Sequence, residues 1–340
     1  MAESRCVHAV GSTGSVGSVC PSDGPALLTR GDAGTLRLSI ENAHPRDARI
    51  TFVEESHEYF VDGRKVGLSV TGLLGLVDTD PFDATAVSWK IFNMRMPHPR
   101  YSRPGPGSGS GADDPSARER MTPTEIQDLW TLANRLGTDL HGKIERYMNG
   151  VPVPIADGDV NVQELAQVIE WWEQKKREGY VAHWTEKIIF DETADLAGSV
   201  DFIMRDTRSG DLVIVDWKRC LTTSSSGFST AFNGKRLGPP LQNIEATKLN
   251  KWSLQVNVYA RILEKHYGVT VQAMAMIVAH PENRGVEEYW HDRNEAADVL
   301  LEQRRSEVAE AAKAKDTVDT ENNVSDGSVS KRARTNPTDE

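Results

Sequence analysis

The residues Val213-Ile214-Val215-Asp216-Trp217-Lys218 read as a buried strand that ends in a carboxylate and an ammonium. Burying a charge is costly unless it is paired or bound to a cation, so the end of this strand needs a reason. Alternate side chains of a strand point to opposite faces. Val213, Val215 and Trp217 therefore share an apolar face, while Ile214, Asp216 and Lys218 share one that turns polar toward the carboxyl end, where α/β sheets bind ligands. Upstream, Gly198-Ser199-Val200-Asp201-Phe202-Ile203-Met204 forms a second strand leading into a turn at 206–211. A hairpin symmetric about Arg208-Ser209 pairs residues whose numbers sum to 417, which sets Asp201 opposite Asp216. Like charges in that position repel. Two facing carboxylates with a lysine one step along call for a cation between them, and Mg2+ is the natural candidate. Gly198 allows a ligand or a neighbouring segment to approach the backbone closely.

Two helices add matching pieces. In Gly137-Thr138-Asp139-Leu140-His141-Gly142-Lys143-Ile144-Glu145, His141 and Glu145 lie one turn apart on one face. In Trp252-Ser253-Leu254-Gln255-Val256-Asn257-Val258-Tyr259, so do Gln255 and Tyr259. Each piece alone has an ordinary reading: a solvated Asp-x-Lys, a packed histidine, an amphipathic helix with a half-buried tyrosine.

Taken in order, Gly137-x3-His141-x3-Glu145, Gly198-x-x-Asp201, Asp216-x-Lys218 and Gln255-x3-Tyr259 resemble the motifs of RecB-like nucleases of the PD-(D/E)XK superfamily. Ser69-Val70-Thr71 and the Asp-Trp-Lys variant are similar to the mitochondrial genome maintenance exonuclease group and its viral and protist relatives. The resemblance spans residues 50–305. It implies an α/β, restriction-endonuclease-like fold, a mixed β-sheet flanked by helices, that cleaves DNA with Mg2+ or Mn2+. Carried over residue by residue, it implies metal ligation by His141, Asp201, Asp216 and the Trp217 carbonyl. Lys218 becomes the catalytic lysine, Glu186 an acid of catalytic or salt-bridging role, and Gln255 and Tyr259 contacts to DNA or groups that orient the metal site. Arg219 stands where relatives often carry Thr or Ser, and is expected to meet phosphate. Lys235 and Arg236, in a loop at 219–249, are expected to do the same.

The 340 residues carry a formal net charge of −11. That excludes a uniformly basic nucleic-acid coat but not a local groove, because the footprint depends on charge distribution. Three scattered cysteines, Cys6, Cys20 and Cys220, fit a reducing compartment and cannot build a four-cysteine zinc or iron–sulfur site. No apolar run is long enough for a membrane span, and no phosphate-binding GxxxxGK[ST] loop is present. An intracellular location follows; Lys331-Arg332-Ala333-Arg334 favours the nucleus, with the mitochondrion as the alternative.

Residues 1–45 and 313–340 are expected to be disordered, with a nuclease domain at 46–312 and a flexible Pro/Gly/Ser insertion at 97–118. Order begins near Ile50. A hairpin with an Asp62-Gly63 turn follows, then a helix capped by Ser69 or Thr71. Thr122-Pro123-Thr124-Glu125 starts a helix running to Met148 and stopped by Asn149-Gly150. Further helices are expected at 162–177, 249–267 and 294–312, and strands at 183–190, 198–206, 211–218 and 271–279. The leading functional expectation is a metal-dependent, sequence-independent DNA exonuclease favouring single strands or ends. An inactive nucleic-acid-binding module of the same fold and a small-molecule metalloenzyme are the alternatives.

Overall fold

The computed structural model describes residues 36–79, 81–104, 118–153, 155, 159, 161–220 and 234–329, with backbone alone from 316 onward. The basic cluster at 331–334, Cys6 and Cys20 lie outside the described residues.

A short helix, α1 (Arg37–Glu41), opens the described chain. It corrects the expectation that order begins near Ile50: Leu38 is buried in the core and its N–H donates to the Asn149 side chain. The strands β1 (Ile50–Val53), β2 (Glu58–Val61) and β3 (Arg64–Lys65) form a small antiparallel sheet. Its β2–β3 turn places both Asp62 (φ 49°) and Gly63 (φ 78°) in the left-handed region, as a two-residue hairpin of this twist requires.

The main sheet is built on three long apolar strands in direct succession and a fourth that returns after a helix. Its members are β4 (Leu68–Ser69), β7 (Tyr180–Asp191), β8 (Leu196–Asp206), β9 (Leu212–Arg219), β10 (Val271–Ala279) and β11 (Glu287–His291). The order runs β11-β10-β9-β8-β4, with β7 on the other edge of β8. The pairs β9/β10 and β4/β8 are parallel and the rest antiparallel. The sheet is mixed, as expected.

Helices cover both faces. On one side pack α2 (Val70–Val77), α6 (Lys248–Tyr267) and the first turns of α7 (Ala296–Val329), burying Leu73, Leu254, Ile262 and Leu300 against Ile203 and Ile214. On the other side α4 (Pro123–Met148) and α5 (Val162–Arg177) bury Leu140, Ile144, Trp171 and Trp172 against Phe202, Val215 and Trp217. The capping box expected at Thr122 and Glu125 is formed, and Ser69 caps α2 by accepting from the Gly72 N–H. α7 runs well past the expected end at 312. Among the described residues, no helix is long and apolar enough to cross a membrane.

Between α2 and α4 lies α3 (Ala84–Phe92), then the short strands β5 (Ser102–Arg103) and β6 (Glu119–Arg120), which pair antiparallel. The insertion expected to lack regular structure therefore has paired ends; 105–117 falls outside the described residues.

Candidate metal centre

The expected hairpin register is the one formed. Phe202 faces Val215, Ile203 faces Ile214 and Met204 faces Val213. The ladder stops one step short of Asp201 and Asp216, because the Trp217 N–H donates instead to the Asp201 carboxylate at 3.0 Å. On the other edge of β8, Thr185 pairs with Phe202 and Lys187 with Val200, which brings Glu186 level with Asp201. Three carboxylates from three strands thus occupy one level of the sheet.

The alternation of β8 slips at this level. Val200 and Ile203 lie in the same core although they are three positions apart, while Phe202 and Met204 lie in the opposite one. In the neighbouring strand Glu186 has φ 44°. A non-glycine residue there costs on the order of 1–3 kcal/mol and is kept only where its surroundings demand it.

His141 reaches the row from α4. Its Nε2 lies 3.1 Å from the Trp217 carbonyl, which can only accept, so Nε2 carries the proton and donates. Nδ1 then faces Asp201 Oδ2 at 3.6 Å and Glu186 Oε1 at 3.9 Å. These gaps are too long for direct hydrogen bonds. Ligand atoms of His141, Glu186 and Asp201 all lie within 4.8 Å of one another, the only such grouping among the described residues. One imidazole and two carboxylates, with the ring oriented by a hydrogen bond from its other nitrogen, form a donor set that fits a divalent cation. Ser199 Oγ donates to Glu186 at 2.9 Å and fixes this third member of the group.

The electrostatics agree. Burial pushes the Asp201 carboxyl up to about 6, helped by the charges of Asp216 and Glu186 and opposed by His141 and Lys218. The site is thus short of positive charge.

Lys218 and Asp216 stand beside this group. Lys218 Nζ lies 2.5 Å from Asp216 Oδ2. Burial acts to lower the lysine's pKa, but the charges of Asp216 and Asp201 outweigh it and hold the ammonium above its ordinary value. Gln255 Nε2 donates to the Tyr259 hydroxyl at 3.0 Å, and burial raises that phenol well above its ordinary range. The Tyr259 ring lies against Gly198: a Cβ there would stand 2.8 Å from Tyr259 Cε1 and 3.0 Å from Val70 Cγ2. The close approach read from Gly198 is made by these two side chains.

The expected site residues are thus gathered with three differences. Glu186 joins His141 and Asp201, whereas Asp216 is turned to Lys218. The Trp217 carbonyl, expected to ligate metal, accepts from the His141 ring. Arg219 is corrected: it points to the opposite face, where it pairs with the fully buried Glu164 at 2.6 Å and donates to Asn161. Lys235 and Arg236 lie on the segment leading to α6, with Arg236 donating to the Asn243 carbonyl. Glu145 is not among the three grouped residues. The residue that sequence reading missed is Ser199, which carries no signal beyond its place beside Gly198.

The family model of the PD-(D/E)XK nuclease superfamily matches residues 155–326, just over half of the chain. The chain belongs to that superfamily. The matched residues include Glu186, Asp201, Asp216, Lys218, Gln255 and Tyr259, while His141 lies before them. No curated protein matches the chain. Twenty chains of solved structures do. One is the crystal structure of SSO0001, 12% identical, with 43% of this chain and 57% of that one covered and a TM-score of 0.23. This chain therefore spans little more than half the length of that protein.

Proposed function

We propose that the protein is a divalent-metal-dependent nuclease that hydrolyses phosphodiester bonds of DNA without regard to sequence, acting as an exonuclease on single strands or ends. The observation that carries this reading is the convergence of His141, Glu186 and Asp201 beside the Lys218–Asp216 pair, within a PD-(D/E)XK superfamily chain. His141 Nδ1, Glu186 and Asp201 would hold Mg2+ or Mn2+, which supplies an activated water and withdraws charge from the phosphoryl oxygen.

The chain's own residues do the rest. Lys218, held above its ordinary pKa, is a donor and not a base; it orients the attacking water and stabilises charge developing on the phosphate. Asp216 aims that ammonium. The Trp217 carbonyl fixes the His141 tautomer, and its N–H fixes Asp201. Tyr259 packs against Gly198 and accepts from Gln255, and the two would orient the substrate. Lys235 and Arg236 meet phosphates at the periphery.

The test uses labelled single- and double-stranded DNA with Mg2+, Mn2+ or EDTA. Metal-dependent loss of substrate that disappears in Lys218→Ala and Glu186→Gln supports the reading. Binding without cleavage would instead make the chain an inactive nucleic-acid-binding module.

A further inference from the structure

Residues 81–104 and 118–130 form a unit that stands apart from the main sheet and outside the residues matched by the family model. Aromatic rings hold it together and extend onto its surface. Phe82 meets Trp130 edge-on at 5.1 Å, Trp130 meets Tyr101 at 5.9 Å and donates to its hydroxyl, and Trp89 meets Phe92 at 5.8 Å. α3 is fastened to α4 by Gln127 donating to the buried Ser88 hydroxyl. Yet the unit leaves large apolar surface in water: Phe82 is 68% exposed and Trp89 52%. Scattered apolar residues on a surface need no explanation, whereas two exposed aromatics in one small unit do.

Its charge runs against the rest of the chain. The unit carries six basic side chains, Lys90, Arg95, Arg100, Arg103, Arg118 and Arg120, against Asp83, Glu119, Glu125 and Asp128, in a protein of net charge −11. Arg118 and Arg120 are spent on the unit's own carbonyls and Arg103 on Glu125. Arg95 and Arg100 are exposed. The charge of Arg100 is felt at Cys220 and His280, just past the carboxyl ends of β9 and β10, the sheet end that carries Lys218.

α4 links this unit to the metal centre. Trp130 and His141 are eleven residues apart on it, so at 1.5 Å and 100° per residue they lie about 16 Å apart and within about 20° of the same face. Between them Thr131–Arg135 is exposed on every side, so here the helix acts as a strut between two packed bodies.

We propose that this unit is a stacking platform for a single strand of nucleic acid bound along α4 toward the metal centre, with Phe82 and Trp89 stacking on bases and Arg95 and Arg100 meeting phosphates. Rings stacked on bases tolerate any sequence, and the exposed Arg95 and Arg100 beside them complement the charge of a phosphate backbone. The proposal rests on the nuclease reading for what the strand is bound for, though not for the binding itself.

The experiment uses the full chain with Asp216→Asn to silence cleavage, and fluorescence anisotropy of a labelled thymidine homopolymer roughly twenty nucleotides long, longer than one such module covers. A blunt duplex of equal length is the comparison. Phe82→Ala and Trp89→Ala are each expected to weaken single-strand binding roughly tenfold and to leave duplex binding unchanged. Trp89→Leu, which keeps apolar bulk without a ring, should fail like Trp89→Ala, and Trp89→Tyr should recover. Arg95→Ala with Arg100→Ala should flatten the salt dependence. Unchanged single-strand affinity in both aromatic variants overturns the proposal. So does a change from dimer to monomer without a change in affinity, which would make the patch an interface between copies. A chain that binds strands through Trp89 but cuts nothing with any metal sinks the nuclease reading and leaves the platform standing. Cleavage that needs Lys218 while affinity ignores Phe82 and Trp89 does the reverse.

Discussion

Neutralising one carboxylate of the His141, Glu186 and Asp201 cluster should stabilise the metal-free protein. Asp201 is raised from an ordinary 3.8 to about 6, chiefly by burial, with Asp216 and Glu186 adding to it. Its side chain is only 15% exposed, so solvent screens this little. One pKa unit corresponds to about 1.4 kcal/mol, so the ionised group costs the fold at most about 3 kcal/mol at neutral pH. A carboxyl whose folded pKa is raised destabilises only where it is ionised. The penalty is therefore absent below the unfolded pKa near 3.8, grows as pH rises toward 6 and is complete above it. Asp201→Asn removes the charge and keeps an oxygen to accept from the Trp217 N–H. In EDTA at pH 7.5 the variant should unfold at higher urea and melt several degrees above the parent, at roughly 2–4 °C per kcal/mol, and the gain should vanish toward pH 4. Saturating Mn2+ should invert the order, because the parent gains a bound cation that the variant holds weakly. The reasoning fails if Asp201→Asn melts at or below the parent in EDTA at pH 7.5, or if its advantage persists unchanged at pH 4.

Four other outcomes are expected. Lys218→Ala should lower cleavage by a factor of about 100–1,000, on the scale of losing one transition-state donor, while the Mn2+-induced rise in melting temperature survives, since Lys218 is no ligand. Glu186→Gln should lose much of that rise and Asp216→Asn little of it, which calorimetric titration of Mn2+ would resolve. Gly198→Ala should destabilise by about 1–3 kcal/mol in urea, because its Cβ would stand 2.8 Å from the Tyr259 ring. Arg219→Ala should cost about 3–5 kcal/mol by stranding the buried Glu164, and replacing both residues with apolar ones should restore most of it; an unaltered melting temperature in the single variant would mean the pair is not structural.

Much of this was legible in the chain. The hairpin register followed from the turn and from two apolar runs of matching length, and it put Asp201 level with Asp216. The α4 boundaries followed from the capping box at Thr122 and the Asn149-Gly150 stop. The facing of the acids was not legible. Val200, Phe202, Ile203 and Met204 are all buried, between two covered faces, and a strand apolar on both sides shows no alternation from which to read a slip. Glu186 is likewise a poor signal for a positive φ, which is ordinarily marked by glycine or asparagine. Arg219 misled because its partner, Glu164, lies on α5, more than fifty residues earlier. Nothing local in the sequence distinguishes a buried ion pair from a free cation. β5 and β6 escaped because two-residue strands flanking a Pro/Gly/Ser run leave no periodicity, and β11 because its edge position leaves charged and half-exposed residues in alternation.

The site owes its existence to an interrupted edge. β8 is paired along one side by β7 from Leu196 to Asp206, with a bulge at His183 and only the Glu186–Asp201 step unpaired, but along the other by β4 only at Leu196 and Ala197, and by β9 only from Phe202 to Arg205. Between them, Gly198 to Asp201 have no strand partner on that edge. Backbone groups buried without partners are costly, so the opening has to be furnished. Tyr259 and Val70 fill the space over Gly198, Asp201 takes the Trp217 N–H, and His141 takes the Trp217 carbonyl. Each of these substitutes for a ladder bond or a packed neighbour, and all but Val70 bring a polar group to the same place. A continuous β8–β9 ladder would bury this edge more cheaply and would leave no room for the imidazole between the carboxylates. The gap in the sheet is therefore the structural condition for the cluster of His141, Glu186 and Asp201, and the stability lost there is what a bound cation would return.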